Sequence, residues 1–544
     1  MLTFDYSPVV YWAAGYALAG AVVWAGVFRR FSNLLFLCLS MVLLVMMRLP
    51  AVVMNRELNP DESQMISHGI TLYFSPVYWQ SVDGTTIGPL DNYWLVLPRL
   101  LGFQIDYTSA RVMGLLCAVG ALLFFFGAVR RWFGTSTARL SFLFPLLFLS
   151  FTQEADYIHY SSEQLPVLLL GLCLWLLAGL SSGTVPAARQ AYLLGFVAGM
   201  VPFSKIQAVP QAVVLALAGI WITYRYFRSA GQFRPLLAIL LGGLSFPLLT
   251  TAWALYHEVF DDMIDFYLLG NAIYAGNSSF TDIPAYLARL LTLSPDFLTY
   301  TLVLVAPIGM GILTWLRSGA GPGKPREAFL PVLFIGYLLA AFYAATKSGN
   351  PFVHYLTLCI QPLALVAVCG LHWLRKQKAV GALVLAGLWI GWFAGTDALS
   401  FLRHRRVNEY MSVGATSLPV SALVQELNKY TQPDDYMVVW GWQNKYYVEA
   451  QLPHGTAENH SERSIYAHPL RETYRARYIS DMRRNQPVVF VDAVDNSLWL
   501  GDRATEGFES FPELARLVKQ NYHFVGTFEK NLLYIRKDRY PAGR

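Results

Sequence analysis

Apolar runs of about twenty residues recur along this chain, the length an α-helix needs to cross a bilayer. About twelve meet that criterion, near 8–28, 33–53, 108–129, 138–152, 163–181, 190–204, 207–227, 236–256, 298–316, 328–345, 354–374 and 379–401. Runs this many and this long do not fit into one soluble core. The composition agrees: 55% of the 544 residues are hydrophobic and 14% are charged, where a soluble domain carries about a quarter charged residues. The sequence predicts a polytopic α-helical membrane protein with a C-terminal soluble α/β domain.

A net charge of +6 does not point to nucleic acid here. Most cations sit in short loops between apolar runs, as membrane topology requires. Arg29 and Arg30; Arg130, Arg131 and Arg139; Arg189; Arg225, Arg228 and Arg234; Arg317, Lys324 and Arg326; and Arg375, Lys376 and Lys378 fall in alternate loops. Those loops are predicted to be cytoplasmic, which leaves both termini and the long loops 54–107 and 257–297 outside. Arg403, Arg405 and Arg406 break the pattern, as a juxtamembrane patch that holds anionic lipid would. The five cysteines all lie in apolar runs without metal-ligand spacing, so neither a disulfide nor a zinc site is expected.

From about 403 the apolar runs shorten to strand length, as in Met437–Trp440 and Val488–Val491. Helix-like stretches near 420–430, 468–484 and 511–521 alternate with them. A closing hairpin is expected over Tyr522–Phe528 and Leu532–Arg536, around Lys530-Asn531. The chain therefore divides into a membrane domain, 1–402, and a soluble domain, 403–544. The soluble part has no Gly-rich phosphate loop and no catalytic triad.

Just beyond the second run stands Asn59-Pro60-Asp61-Glu62. Ionisable residues at the edge of an apolar slab are often functional. The plain alternative is that Asp61 caps a short helix beginning at Glu62. Other charged residues gather at helix ends on the same predicted side. Asp156 and Glu163 lie between the fourth and fifth runs, Lys205 follows the sixth, and Lys347 and His354 bracket the loop before the eleventh. Each has a structural explanation by itself, such as a helix-start acid, a snorkelling cation or an interface histidine. Together they predict an outward-facing polar cavity. A lipid transporter or flippase is the rival reading, but no internal repeat is visible and the polar residues lie at one side, not at the midplane. A receptor-like protein with inert helices is the third.

The Asp61-Glu62 pair after an early membrane helix resembles the GT-C class of integral-membrane glycosyltransferases, in particular the protein O-mannosyltransferase and aminoarabinose transferase branches. Three further stretches are similar to bacterial members. They are Asp83–Tyr93 with Pro98-Arg99-Leu100-Leu101-Gly102 and Arg111; the small-residue helix from Gly195 to Lys205; and Lys347–Tyr355 with Pro362 beyond. The resemblance covers roughly 30–400. It departs in an extra helix over 8–28 and in the lack of an Asp-x-Asp motif in the first loop, which leaves a divalent cation open.

What the resemblance implies is sugar transfer from a polyprenyl-phosphate-linked donor to an acceptor protein, glycan or lipid, at the outer face of a bacterial inner membrane. Asp61 would be the general base and Glu62 a positioning group, because adjacent side chains rarely converge on one atom. The second acidic motif of the class would be Asp156 or Glu163. Lys205 and Lys347 would neutralise the lipid phosphate, with His354, Tyr355 and Arg99 as further donor-binding residues.

Overall fold

The computed structural model describes residues 8–28, 31–183, 185–276, 279–317, 325–377, 379–407 and 415–541. Arg29, Arg30, Lys324 and Lys378 lie outside the described residues. In chain order the principal helices are α1 (Pro8–Phe28), α2 (Asn33–Val53), α3 (Pro60–Phe74), α4 (Tyr107–Phe133), α5 (Thr135–Phe151), α6 (Gln164–Ser182), α7 (Ala188–Met200), α8 (Val209–Ala230), α9 (Arg234–Tyr256), α10 (Pro295–Arg317), α11 (Pro325–Thr346), α12 (Ile360–Gln377) and α13 (Ala379–His404). Every apolar run expected to be helical is helical. Among the described residues ten helices are long and apolar enough to cross a membrane. The other two are shorter, 17 residues in α5 and 13 in α7.

The chain forms two compact units. The first is Met1–Met54, Arg111–Thr250 and Ala275–Ala415. Its helices approach through small residues, as helices in lipid do when packing, not water exclusion, drives association. A Cβ on Gly370 of α12 would collide with the Pro307 carbonyl of α10, and one on Gly195 of α7 with the Ile239 carbonyl of α9. The break after α7 has a local cause. Pro202 and Pro210 cannot continue a helix from within. Two 3₁₀ turns, Val201–Phe203 and Ile206–Ala208, flank Lys205, whose backbone is extended (φ −158°, ψ 120°). Arg139 is not a loop cation as its neighbours suggested. It is buried and donates to Asn33 Oδ1 and the Phe31 carbonyl, tying α5 to the α1–α2 connection.

The second unit is Asn55–Ala110, Thr251–Tyr274 and Thr416–Arg544. Its sheet consists of β1 (Met437–Trp440), β2 (Val489–Asp492), β3 (Tyr522–Phe528) and β4 (Asn531–Arg536) in the order β1-β2-β4-β3. β1 and β2 are parallel, and β4 pairs antiparallel with both β2 and β3. Both faces of β1 are covered, which is why its sequence is continuously apolar. Val438 and Trp440 pack toward Tyr478 of α14 (Arg471–Asn485) and Leu514 of α15 (Pro512–Asn521), while Met437 and Val439 pack toward Leu423 and Leu427. The β3–β4 turn falls on Glu529 and Lys530, with φ +51° and +68°, one residue earlier than expected. Two positive φ values suit the right-handed strand twist of a two-residue hairpin.

Segments far apart in sequence complete this unit. Asp83, in the loop between α3 and α4, pairs with Arg477, both largely buried. The Arg477 guanidinium lies 3.3 Å from the Phe266 ring centroid. Asn271 donates to the Thr85 carbonyl at 2.9 Å.

Candidate active site

In the second unit, α3 starts one residue after Asn59, not after Asp61. Asn59 has extended backbone and its side chain accepts the Asp61 N–H at 2.9 Å. Pro60 takes the first helical position, where a missing N–H is harmless. Asn59 is therefore the cap, and the reading of Asp61 as the cap is corrected. Asp61 and Glu62 both lie in the first turn, where carboxylates favour the helix dipole. Their surroundings differ: Asp61 is half-buried and Glu62 is 0% exposed.

The rest of α3 is polar yet buried, including Ser63, Gln64, Ser67, His68 and Thr71. Its partners come from the far end of the chain. Asn459 donates to the Gln64 carbonyl at 3.0 Å and to Ser67 Oγ at 2.6 Å, and the His454 N–H donates to Thr71 Oγ1 at 3.0 Å. Further carboxylates surround the start of the helix. Ser63 donates to Glu57 and accepts from the Tyr107 hydroxyl at 2.8 Å. Burial raises the Glu57 carboxyl, and the charges of Glu62 and Glu449 add to this against the Ser63 hydrogen bond. Burial also raises Glu462, assisted by the charge of Asp61. Sequence reasoning missed Glu57 and Glu462 because nothing local marks them. Arg99 is exposed, 5.2 Å from the Tyr73 ring centroid.

In the first unit the structure brings five expected residues together. Lys205, 2% exposed, is ion-paired with Glu163 and donates to Ser162 Oγ at 2.5 Å. It also lies 5.3 Å from the Tyr355 ring centroid. Burial alone would raise the Glu163 carboxyl, but the charges of Lys205 and His354 outweigh it and hold the group at about 2. Asp156 Oδ1 meets His354 Nδ1 at 3.1 Å. Burial opposes this pair as well, and the His354 hydrogen bond and charge still bring Asp156 below its ordinary value. His354 stacks on Phe352 with centroids 5.6 Å apart. The two candidates for the second acidic motif thus each hold a basic side chain. Lys347 is half-buried and donates to the Gly276 carbonyl at 3.4 Å.

A further acid of the same loop lies nearby. Glu154 accepts from Ser294 Oγ at 2.5 Å and from the Asp296 N–H at 2.8 Å. Burial and the Asp296 charge raise it to about 7. Among the described residues no three His, Cys, Asp or Glu side chains are grouped so that they could hold a metal ion.

No family model matches the chain, and no curated protein matches it. Solved structures do. ArnT from Cupriavidus metallidurans bound to undecaprenyl phosphate superposes with a TM-score of 0.54 at 14% identity, over 94% of this chain and 100% of that one. The apo state of the same protein gives 0.53 at 12%, over 91% and 97%. The Archaeoglobus fulgidus oligosaccharyltransferase in complex with Zn and sulfate gives 0.39 at 13%, over 91% and 73%. The chain has a GT-C-like fold: a polytopic helical membrane protein with a small C-terminal sheet region.

Proposed function

We propose that this protein is a GT-C glycosyltransferase, moving a hexosyl or pentosyl group from a polyprenyl-phosphate-linked donor to an acceptor protein, glycan or lipid. The reaction takes place at the extracytoplasmic face of a bacterial inner membrane, and the domain over 403–544 lies on that side. The GT-C-like fold and the ArnT crystal bound to undecaprenyl phosphate support this reading. The observation that carries it is the contrast between adjacent carboxylates: Asp61 is half-buried and Glu62 is fully buried on the same helical turn.

Asp61 is the general base. It takes the proton of the acceptor hydroxyl as the acceptor oxygen attacks the anomeric carbon. The bond from that carbon to the phosphate oxygen breaks, its electron pair stays on the phosphate, and polyprenyl phosphate departs. One displacement with one base inverts the anomeric configuration. Glu62, buried within the helix's first turn, is a positioning residue. Lys205 and His354 neutralise the leaving phosphate, with Tyr355, Lys347 and Arg99 as further donor-binding groups. Glu163 and Asp156 hold Lys205 and His354 in place by the pairings described above. Preorganised charge of this kind needs no reorientation as the phosphate leaves.

The test is transfer from a polyprenyl-phosphate sugar by purified protein, in wild type, Asp61→Asn and Lys205→Ala. Both variants should lose transfer. Near-normal turnover in Asp61→Asn removes the base assignment, and a product of retained configuration removes the single displacement.

A further inference from the structure

The carboxyl end of β1, in the second unit, holds a group of buried polar atoms that no role above uses. β1 and β2 run parallel, and open α/β sheets bind ligands beyond the carboxyl ends of such strands. The chain turns out of β1 at Gly441, with φ +117°. The Gly441 N–H donates to Ser461 Oγ at 2.6 Å, and the Trp442 N–H donates to Ser497 Oγ at 2.7 Å. These bonds set Trp442 against His460, and the two rings stack with centroids 4.5 Å apart and planes 7° apart. We propose that Trp442, Asn444, Asn459 and His460 form a binding site for a neutral sugar ring, the acceptor of the transfer proposed above.

The first support is a set of unmet hydrogen bonds. Asn444 is 2% exposed, and neither its Oδ1 nor its Nδ2 has a partner. It precedes the short helix Lys445–Ala450, where an asparagine ordinarily caps with its side-chain oxygen, yet it makes no such bond. His460 is also 2% exposed, and its Nδ1 has no partner. Trp442 Nε1 and Asn459 Oδ1 are buried and have none either. Native folds leave few such atoms, because each forfeits its bonds to water. Five of them on two short segments point to an absent partner.

Their chemistry identifies that partner. Trp442 Nε1 and Asn444 Nδ2 donate, while Asn444 Oδ1 and Asn459 Oδ1 accept. His460 can do either and is neutral, since burial and the Arg463 charge lower its imidazole to about 3. A balanced neutral set matches neither an anion nor a cation. A sugar hydroxyl is donor and acceptor at once, and vicinal hydroxyls match the two atoms of one amide. The half-buried indole of Trp442 adds apolar surface for the C–H groups of the ring. A few placed polar groups beside an aromatic wall make a small-molecule site. The site also lies near the proposed base. Asn459 donates to the Gln64 carbonyl at 3.0 Å, one helical turn beyond Asp61. Glu462, two residues after His460, feels the Asp61 charge. The acceptor role rests on the glycosyltransferase reading; the saccharide site does not.

The experiment titrates the purified full chain, in a detergent without a sugar headgroup, with the methyl glycosides of glucose, mannose, galactose and N-acetylglucosamine. Binding is followed by saturation-transfer NMR, with glycerol and a serine-containing tripeptide as comparisons. At least one glycoside should saturate, and glycerol and the peptide should not. N444A and H460F should each weaken that binding about tenfold, the worth of one or two hydrogen bonds. H460F keeps a ring on Trp442 and removes Nδ1. Both variants should melt at or above the wild-type temperature, because each deletes a buried polar atom that the free protein leaves unpaired. A structural role requires a lower midpoint in both, and that result would overturn the proposal. Lys205→Met with Glu163→Leu should bind the glycoside as wild type does, which separates this site from the donor's. Saturation by no glycoside or by the peptide alone, N444A and H460F both within twofold of wild type, or loss of binding in the Lys205 variant would also overturn it. Sugar transfer measured on the same samples keeps the two readings apart. Transfer without glycoside binding removes this site alone, and glycoside binding without transfer removes the glycosyltransferase reading alone.

Discussion

Lys205 and Glu163 form an ion pair in which neither side chain is more than 3% exposed. The pair sits where α7 and α8 are interrupted, so its geometry depends on two prolines and an extended residue and not on helix continuity. Removing one partner of a buried pair leaves an uncompensated charge and costs about 3–5 kcal/mol, whereas replacing both with apolar groups is often neutral. Glu163→Gln should therefore lower the thermal midpoint sharply, and Lys205→Met with Glu163→Leu should recover most of it. The pH dependence has a definite sign. The Glu163 carboxyl is lowered from 4.5 to about 2, so its contribution is present above pH 4.5 and lost as pH falls toward 2. Thermal melts of wild type and Glu163→Gln across pH 2–6 should converge at the acid end.

Asp61→Asn should separate chemistry from folding. The helix start is carried by Asn59 and Pro60, so the carboxylate is not its cap. Loss of a general base costs about 10²–10⁴-fold in rate, and the melting temperature of Asp61→Asn should stay near that of wild type. Asn59→Ala should do the reverse, costing about 1 kcal/mol of stability and retaining much more activity. Transfer assays beside melts on the same two proteins check both halves. Equal activity losses in the two variants would make the Asp61 effect structural.

Much of this arrangement could be read from the sequence, for reasons that differ by region. A membrane helix needs its apolar run within one segment, so α2 begins and ends where the run 33–53 does. The strands β1 and β2 were legible, β2 one residue early, because burial on both faces leaves unbroken apolar strings at Met437–Trp440 and Val488–Val491. The surroundings of Asp61 were not legible. α3 looks like an exposed polar helix, and residues nearly four hundred positions later, Asn459 and His454 among them, help bury it. Neither could the sequence choose between Asp156 and Glu163, because their cations, His354 and Lys205, lie on other elements.

Asp83 and Arg477 tie the loop between α3 and α4 to α14 within the second unit. Asp83 also accepts the Thr85 N–H at 2.8 Å, and its own N–H donates to the Ala457 carbonyl at 2.7 Å. Asp83→Ala should cost about 3–5 kcal/mol, since Arg477 would remain buried without its acid. Limited proteolysis offers a specific readout, with new cleavage expected within 76–95 in Asp83→Ala. A digestion pattern identical to wild type would show that the loop is held by other contacts.

Glu458 gives the second unit a pH dependence opposite to that of Glu163. It is 4% exposed, and burial together with the Asp83 charge raises its carboxyl from 4.5 to about 8, against a hydrogen bond from Ser464. Between those values the folded chain holds a proton that the unfolded chain releases. The stabilisation is thus complete below pH 4.5 and is lost as pH rises through 8, at roughly 1.4 kcal/mol per pH unit. Glu458→Gln keeps a neutral acceptor for Ser464 and removes the titration. The difference in stability between variant and wild type should therefore grow in the variant's favour from pH 5 to pH 8, followed by thermal melts of the full chain. A difference constant over that range would mean that Glu458 is not protonated in the folded protein.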